Sequence, residues 1–224
     1  MKKTISLFAV LMLLFVAAQS FAQINFGAKA GLNLANMTSQ DDENNYAEDA
    51  PYEMRTGFHV GITAAFSISE NLAIEPGVLY SAKGFAEEYS IANIKYNINY
   101  NINYLEVPIN AVYTIDAGSV KVLVFAGPYL GYAISAKVKS DKAILGENGD
   151  QKEETISIGT DKEKDGVVPF DFGINFGAGA EISSISVSFQ YGLGLANTSP
   201  HSENSYSSKN KVIGISLGYK FGGK

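Results

Sequence analysis

Residues 185–196 read ISVSFQYGLGLA, with a large apolar side chain at nearly every second position. Ser, Gln, Gly and Ala occupy the positions between them. The stretches 211–221, KVIGISLGYKF, and 170–182, FDFGINFGAGAEI, repeat the pattern. Successive side chains of a strand point to opposite faces, so this period of two indicates long strands with two chemically different faces.

Five further segments show the same alternation, which gives eight predicted strands in total. These segments span residues 24–35, 56–69, 71–84, 104–116 and 120–137. Each is long enough to cross a hydrocarbon layer as a tilted strand, which takes about 9–11 residues. Long polar connections are expected at residues 36–55, 85–103, 138–169 and 197–210, whereas the other turns are short. This arrangement predicts an all-β, eight-stranded antiparallel up-and-down transmembrane β-barrel with long extracellular loops and short periplasmic turns.

The chemistry of the two strand faces separates a membrane barrel from a soluble barrel of the lipocalin kind. A soluble barrel would place the apolar face inside, and its outer face would normally carry Lys, Glu and Thr. The polar face of these strands consists mainly of Gly, Ser, Asn and Ala. Small residues fit a crowded lumen, and large uncharged residues fit a lipid-facing surface. The pattern therefore favours the membrane barrel.

Aromatic residues are concentrated near both ends of the predicted strands. On the short-turn side the predicted aromatic girdle consists of Phe26, Phe66, Tyr113, Tyr219 and Phe221. On the long-loop side it consists of Phe58, Tyr80, Tyr132, Phe170 and Phe172. Two such belts are typical of the membrane–water interfaces of transmembrane barrels.

The first 22 residues have the layout of a cleaved secretory signal. Two lysines follow Met1, residues 4–18 are almost entirely apolar, and residues 20–22 read SFA. A short apolar run followed directly by small residues is typical of a signal peptide rather than of a membrane anchor. The sequence therefore predicts a signal peptide at residues 1–22 and one outer-membrane β-barrel domain at residues 23–224.

The composition argues against several classes of function. The chain has 224 residues, no Cys, two His and a formal net charge of −6. Thiol chemistry and Cys-ligated metals are therefore unavailable, and two histidines far apart in sequence do not suggest a metal site. The negative charge disfavours nucleic acid, whose phosphates would be repelled. We expect no cofactor, no metal ion and no nucleic-acid partner.

One segment does not continue the alternation of the strand that follows it. Residues 96–104 read YNINYNINY, with Tyr and Ile at even positions, but from Leu105 the apolar positions are odd. Such a phase change at Tyr104-Leu105 indicates a β-bulge. The alternative is that the segment stands above the membrane, where lipid no longer determines the parity. There it would be a strand extension or a carbohydrate-stacking patch.

Parity directs eight titratable side chains into the predicted lumen. They are Lys29, His59, Glu75, Glu106, Lys121, Asp171, Glu181 and Lys220. An eight-stranded barrel is only just wide enough for its own side chains, and an unpaired buried charge is costly. We therefore predict a structural ion network that plugs the lumen. A proton or ion path through the same residues is the alternative.

The sequence predicts no catalytic site and no enzyme activity. The candidates are His59 near the long-loop end of its strand, Ser81 across the strand pair, and His201 in the last loop. No motif connects them, and catalysis requires a nucleophile, a base and an orienting group within reach of one another. The acidic loops 36–55 and 138–169 match no calcium-binding ligand order. They are predicted to be solvated contact surfaces.

Several motifs, taken together and in order, resemble one family. They are Ala22-Gln23 at the end of the signal, YLEVP at 104–108, FAGPYLGY at 125–132 and LGYKF at 217–221. In this combination the chain resembles the small outer-membrane β-barrel (PorT-type) family of Bacteroidetes. The resemblance implies an outer-membrane location in a Gram-negative bacterium. One branch of that family is tied to the type IX secretion machinery, and no motif here selects that branch.

These observations lead to a functional hypothesis. We expect a non-conducting monomeric barrel that is anchored in outer-membrane lipid and displays surface loops for interaction or envelope structure. The alternative is an accessory component of an outer-membrane secretion (type IX-like) or envelope assembly, with envelope or secretion proteins as partners. A narrow channel is the third hypothesis.

Overall fold

The described part of the chain consists almost entirely of antiparallel strands. The computed structural model describes residues 24–40, 52–91, 94–140, 152–200 and 207–221. The strands within these ranges are β1 (Ile24–Gln40), β2 (Tyr52–Glu53), β3 (Arg55–Ser67), β4 (Leu72–Ile91), β5 (Ile94–Ala117), β6 (Val120–Ser140), β7 (Lys152–Thr155), β8 (Phe170–Ile182), β9 (Ile185–Gly194) and β10 (Ser207–Lys220). No helix in these ranges is long and apolar enough to span a membrane.

Eight of these strands close into a ring. Its order is β1, β3, β4, β5, β6, β8, β9 and β10, and β10 pairs with β1 to complete it. Every pair in the ring is antiparallel. Since neighbours in the ring follow one another in the chain, the predicted eight-stranded up-and-down barrel is confirmed.

Three neighbouring strands of the ring are longer than the other five, of which β1 is the longest with 17 residues, and they continue on the long-loop side. β4, β5 and β6 have 20, 24 and 21 residues, whereas β3, β8 and β9 have 13, 13 and 10. The short strand β2 pairs with the upper part of β4, and β7 pairs with the upper part of β6. A five-stranded sheet therefore stands on this side of the ring. We call β2, β7 and residues 85–91, 94–103 and 135–140 the extension.

The extension corrects the predicted loop boundaries. In the predicted loop 85–103, residues 85–91 and 94–103 are strand, and the other three predicted long loops also include strand at one or both ends. The prediction was wrong because the apolar parity marks only the part of a strand that faces lipid. Pairing between neighbouring strands continues beyond that level, as the β4–β5 register runs up to Ile91 and Ile94.

The ring has an apolar outer surface and a polar interior. On β8, Phe172, Ile174 and Phe176 are exposed on the outside. Asp171 and Asn175, which alternate with them, are buried inside. Exposed large apolar side chains recur in the same way around the other strands of the ring. Such a band is what a surface in contact with hydrocarbon requires.

β5 keeps one parity along its whole length. Ile102, Tyr104 and Glu106 are all buried, so the even positions point inward on both sides of the predicted phase change. Leu105 is exposed on the outer surface. The expectation of a bulge in this strand was therefore wrong. The surroundings of the inner and outer faces change in polarity at this level, whereas the direction of the side chains does not change.

A bulge does occur at the same level, but it lies on the neighbouring strand. Asn103 pairs with Ser135 of β6, whereas Tyr104 pairs with Ala133. The extra residue is therefore Ile134, which is exposed. Bulges bend a strand and increase its local twist, so this one lies where β6 passes from the ring into the extension.

Candidate functional site

The centre of the lumen holds three buried charged side chains from three strands. Lys83 Nζ lies 2.6 Å from Glu106 Oε2 and 3.2 Å from Asp171 Oδ2. The side chains are 3%, 5% and 0% exposed, respectively. We call these three residues the buried ion cluster. Ions removed from water in this way are stable only with close partners, so each member depends on the others.

Neighbouring side chains fix the geometry of the buried ion cluster. The hydroxyl of Tyr129 donates a hydrogen bond of 3.2 Å to Asp171 Oδ2, and the amide of Asn210 donates another of 2.9 Å to the same oxygen. Lys83 Nζ lies 4.1 Å from the centre of the Tyr129 ring, in cation–π range. Charge-assisted hydrogen bonds and a ring face therefore compensate part of the lost hydration.

Lys83 is the central residue that the sequence analysis missed. The signal was present, because Glu75, Leu79 and Ser81 of the same strand all have odd numbers and line the lumen cavities. Extending that parity by two residues directs Lys83 inward as well. The residue was overlooked because it is the next to last of the predicted strand, where a lysine is normally expected to reach water.

The predicted ion network is divided into separate parts. Glu106 and Asp171 belong to the buried ion cluster, whereas Glu181 pairs with Lys220 at 2.5 Å towards the short-turn end. Lys121 was assigned to the network, but its side chain is exposed and pairs with no acid among the described residues. It lies at the start of β6, at the rim of the ring, so water hydrates it without a partner.

Lys29 and Glu75 face a small cavity between these two parts. The cavity has a volume of about 60 Å³, and Asn110 and Lys220 also line it. Lys29 Nζ lies 5.3 Å from the centre of the Phe125 ring, and no carboxylate of a described residue lies within ion-pair distance. The Asn110 side-chain oxygen is buried and has no hydrogen-bond partner in the described part of the chain. Polar groups around such a space are normally bridged by buried water.

His59 lies inside the lumen and has partners on both ring nitrogens. Nδ1 is 2.8 Å from Asn33 Oδ1, and Nε2 is 2.9 Å from Ser216 Oγ. Ser81 contacts the amide of Asn33 at 3.2 Å rather than the imidazole. The structure thus brings His59 and Ser81 into one hydrogen-bonded group but does not form a nucleophile–base pair. His201 lies outside the described residues.

An apolar cluster covers the buried ion cluster on the long-loop side. We call it the apolar cap, and it consists of Met37, Ile102, Tyr104, Ala133, Ala136 and Val167. Backbone hydrogen bonds tie the segment 156–169 to β6 and, from Val168 N to Thr198 O at 2.9 Å, to the residues after β9. Ile156 N donates to Ala136 O at 2.9 Å, and Ala133 N donates to Pro169 O at 2.7 Å. The lumen is therefore covered by packed apolar side chains directly above its charged centre.

The predicted girdle residues lie on the outer surface near the two ends of the ring. Eight are exposed, namely Phe26, Phe58, Tyr113, Tyr132, Phe170, Phe172, Tyr219 and Phe221. Phe66 and Tyr80 are half-buried. Rings pack in pairs within each belt, for example Tyr132 against Phe170 and Tyr219 against Phe221, both at 5.3 Å between centres.

The described residues contain no group of three or more His, Asp or Glu side chains that could hold a metal ion. The buried carboxylates of the lumen are instead compensated by lysine ammonium groups. These lumen side chains have a structural role, because they compensate one another's charge and fill the space inside the ring.

The sequence matches a family described as an outer membrane protein beta-barrel domain over residues 17–199. No curated protein matches the chain. Solved structures similar to it include Ail, the attachment invasion locus protein of Yersinia pestis (12% identity, 88% of this chain and 98% of that chain covered, TM-score 0.40). Neisserial surface protein A is 14% identical, with 90% and 100% covered and a TM-score of 0.42. A major outer membrane protein from Thermus thermophilus is 10% identical, with 88% and 99% covered and a TM-score of 0.43.

Proposed function

This chain belongs to the family of outer membrane protein β-barrel domains, and we propose that it is a non-conducting outer-membrane anchor that displays its extension and loops. Location in the outer membrane follows from the family. The anchoring role is supported by the closed lumen and by the apolar outer surface of the ring.

The observation that carries the proposal is the double closure of the lumen. The buried ion cluster fills the centre with side chains that are at most 5% exposed. The apolar cap lies on top of it, and Tyr104 belongs to the cap while its ring lies 5.2 Å from Lys83 Nζ. A hydrated ion would have to break the ion pairs and then cross an apolar layer. Both steps are costly in a bore that side chains already fill.

The outer surface supports membrane lipid as the immediate partner of the ring. Large apolar side chains are exposed all round it between the two aromatic belts. The eight strands pair with one another and close the ring within one chain, so no sheet edge of the ring remains for a second copy. We therefore propose a monomeric barrel, with contacts to other molecules on the long-loop side.

Planar-bilayer conductance tests the proposal directly. The mature protein is expected to show no steady single-channel openings, because the lumen is closed at two levels. A variant lacking residues 156–167 removes part of the cap but leaves the buried ion cluster in place, and we expect it to stay closed. Adding Lys83→Ser, Glu106→Ser and Asp171→Ser to that deletion also removes the charged centre, and it is the positive control. Steady openings of the unaltered protein would overturn the proposal.

An accessory role in a secretion or envelope assembly is the second candidate. It is supported by the motif resemblance to the PorT-type family of Bacteroidetes and by the extension, which offers a partner a sheet face outside the membrane. Purification from native membranes in mild detergent, after chemical crosslinking, distinguishes it from the first candidate. A defined stoichiometric complex would favour the accessory role, whereas a lone barrel would favour the simple anchor.

We propose no catalytic role for His59. Its two ring nitrogens contact Asn33 and Ser216, and the residue is buried below the apolar cap. The side chain is 7% exposed among the described residues, so a substrate from the lipid or from the exterior would have to displace its neighbours to reach it. Replacing His59 by Ala should leave the acylation of lipid A and of phospholipids unchanged in cells that carry the variant. A change in acylation would show that the residue has a catalytic role.

A further inference from the structure

Four asparagines form a straight row on the outer face of the extension. They are Asn97, Asn99, Asn101 and Asn103 of β5, and we call them the asparagine stripe. Because the even-numbered Ile102 and Tyr104 are buried on the inner side, the odd-numbered amides point away from the barrel axis. Their spacing along the strand is about 6.8 Å, twice the rise per residue.

The asparagine stripe continues the lipid-facing surface without a break. Leu105, Val107 and Ile109 follow it on the same face of the same strand and are exposed. These side chains face acyl chains in a membrane, so the positions just above them on that face lie beside the headgroups of the outer leaflet. The stripe therefore points sideways into the headgroup layer rather than upward into bulk water.

The composition of the stripe is not explained by strand formation. Asn is depleted in strands, where Thr, Val or Tyr would pair better. Each amide carries both donors and an acceptor, and none of the four forms a side-chain hydrogen bond with another described residue. The stripe is thus a row of uncommitted groups that match hydroxyls, which also donate and accept.

The lysines beside the stripe share one carboxylate. Lys137 and Lys139 are the β6 partners of Asn101 and Asn99. Their ammonium groups lie 2.5 and 2.7 Å from the two oxygens of Glu153 on β7. Hydrogen bonds from both lysines lower the pKa of the Glu153 carboxyl to about 2, so the carboxylate is ionised at neutral pH. The three groups leave one net positive charge, but the carboxylate already contacts both ammonium groups, so the uncommitted groups on this face are the neutral amides.

Three aromatic side chains of the extension are turned away from this side and cannot stack on a sugar there. Tyr100 and Phe85 point to the inner face, with ring centres 4.4 Å apart in a stacked arrangement. Tyr52 packs against Phe85 at 4.5 Å. The carbohydrate-stacking patch suggested by the sequence is thus not presented outward, and the amides take that place.

We propose that the asparagine stripe binds the carbohydrate headgroup of a glycolipid in the outer leaflet. Continuity with the lipid-facing surface identifies a membrane lipid, rather than a free glycan, as the occupant. The amides would bond to sugar hydroxyls while the acyl chains of the same lipid pack against Leu105 and Val107. This binding would fix the height of the barrel in the membrane.

Lipid retention measures this interaction. The protein is reconstituted in nanodiscs with either of two lipids that share their acyl chains, one with an uncharged oligosaccharide headgroup and one without it. After transfer to mild detergent, native mass spectrometry counts the lipids kept per barrel. The double variant Asn99→Ala/Asn101→Ala should retain the glycolipid about two- to tenfold less per amide removed, as expected for net hydrogen bonds. Asn71→Ala, an exposed asparagine in a short turn, is the matched control and should retain it normally.

Three results would contradict the proposal. The first is equal retention by the double variant and the unaltered protein; the second is equal retention of the two lipids by the unaltered protein. The third is competition by the free oligosaccharide at the same concentration as the glycolipid, which would identify a soluble glycan instead. A heat-modifiable gel shift checks that each variant is folded. If the double variant fails to fold, Asn99→Ser and Asn101→Ser are measured singly. Each is then expected to show the same two- to tenfold loss of glycolipid retention.

Discussion

The ring and the extension have opposite polarity, although β4, β5 and β6 run through both. In the ring, the outer side chains are apolar, and the inner ones are mainly charged, polar or small, with a few large ones such as Leu79 and Phe125. In the extension, the inner side chains are Ile102 and stacked aromatic rings, and the outer ones are asparagines and paired charges. The same face of one strand is therefore apolar at Val107 and polar at Asn101. A strand face has no polarity of its own, and its surroundings determine which residues it carries.

The change of surroundings marks the outer boundary of the hydrocarbon layer. On β5 the outward apolar positions run from Leu105 to Ile115, which spans eleven residues. A tilted strand needs about 9–11 residues to cross hydrocarbon, so this run is sufficient for one crossing. Tyr104 lies at the boundary inside the barrel, where it joins the apolar cap to the buried ion cluster.

The largest expected effect comes from breaking the charged centre of the ring. Lys83→Ala leaves Glu106 and Asp171 buried without their cation. Loss of one partner of a buried ion pair typically costs about 3–5 kcal/mol, and we expect the free energy of unfolding to fall by this amount. Urea unfolding in detergent micelles, followed by circular dichroism, measures it.

Two controls show whether the charge or the shape is responsible. The triple variant Lys83→Met/Glu106→Gln/Asp171→Asn keeps the volume but removes all three charges, and it should recover most of the loss. Lys121→Ala removes an exposed lysine at the rim and should change stability by less than about 0.5 kcal/mol. If Lys83→Ala matches Lys121→Ala, the buried ion cluster does not stabilise the ring.

The second prediction places the same charge on the outer face of β5 at two heights. Ile109→Arg introduces a cation near the middle of the apolar run and should cost about 2–4 kcal/mol. Asn101→Arg introduces it eight residues higher on the same face, where headgroups and water hydrate it, and should cost less than about 1 kcal/mol. Unfolding in lipid vesicles gives both values. Equal costs at the two positions would show that the boundary does not lie between them.

The third prediction concerns the apolar interior of the extension. Ile102→Ala deletes part of a side chain that is 2% exposed and should cost about 2–3 kcal/mol. This is the lower part of the usual range for such changes, because the segment 156–169 can settle onto the gap. Ile98→Ala, half-buried and four residues further out, is the control and should cost less. If neither change matters, the cap contributes nothing to stability.

Much of the ring could be predicted because lipid imposes a simple rule on the sequence. Any outward residue must be apolar, so alternation reveals the strands, their number and their facing. The rule ends where lipid ends, and the extension was therefore predicted as a loop. The repeat at residues 96–104 carried the information, and its inverted polarity had two interpretations, a bulge or a segment above the membrane. The continuous parity of β5 agrees with the second.

The partners inside the lumen could not be derived from parity alone. Parity directs a side chain inward but does not say how far up the strand its partner lies. Lys83 meets Asp171 of β8 across the ring, and no local spacing connects them. The motifs at 104–108 and 125–132 also gain a structural meaning only in the fold. Tyr104, Glu106 and Tyr129, which belong to them, surround Lys83.

The smallest expected effect is the acid sensitivity of the outer edge of the extension. The hydrogen bonds from Lys137 and Lys139 lower the pKa of Glu153 from an ordinary value of 4.5 to about 2. Because the folded-state pKa is depressed, the contribution of this pair to β6–β7 pairing is complete above pH 4.5. It is lost as the pH falls from there towards 2. The carboxylate is exposed, so salt screens the interaction and its effect on overall stability is small.

The titration of Glu153 can be followed by its carboxyl carbon shift in a nuclear magnetic resonance experiment. The midpoint should lie near pH 2 in the unaltered protein at low salt. It should rise towards 4.5 in Lys137→Ala, because that change removes the donor of the first and shortest contact. High salt should move the midpoint in the same direction. By contrast, the urea midpoint of the ring should not change over this pH range in Lys137→Ala relative to the unaltered protein, because the pair lies wholly in the extension. If the urea midpoint of the ring shifts together with the titration midpoint of Glu153, the ring and the extension unfold as one unit. The two regions would then differ in polarity but not in stability.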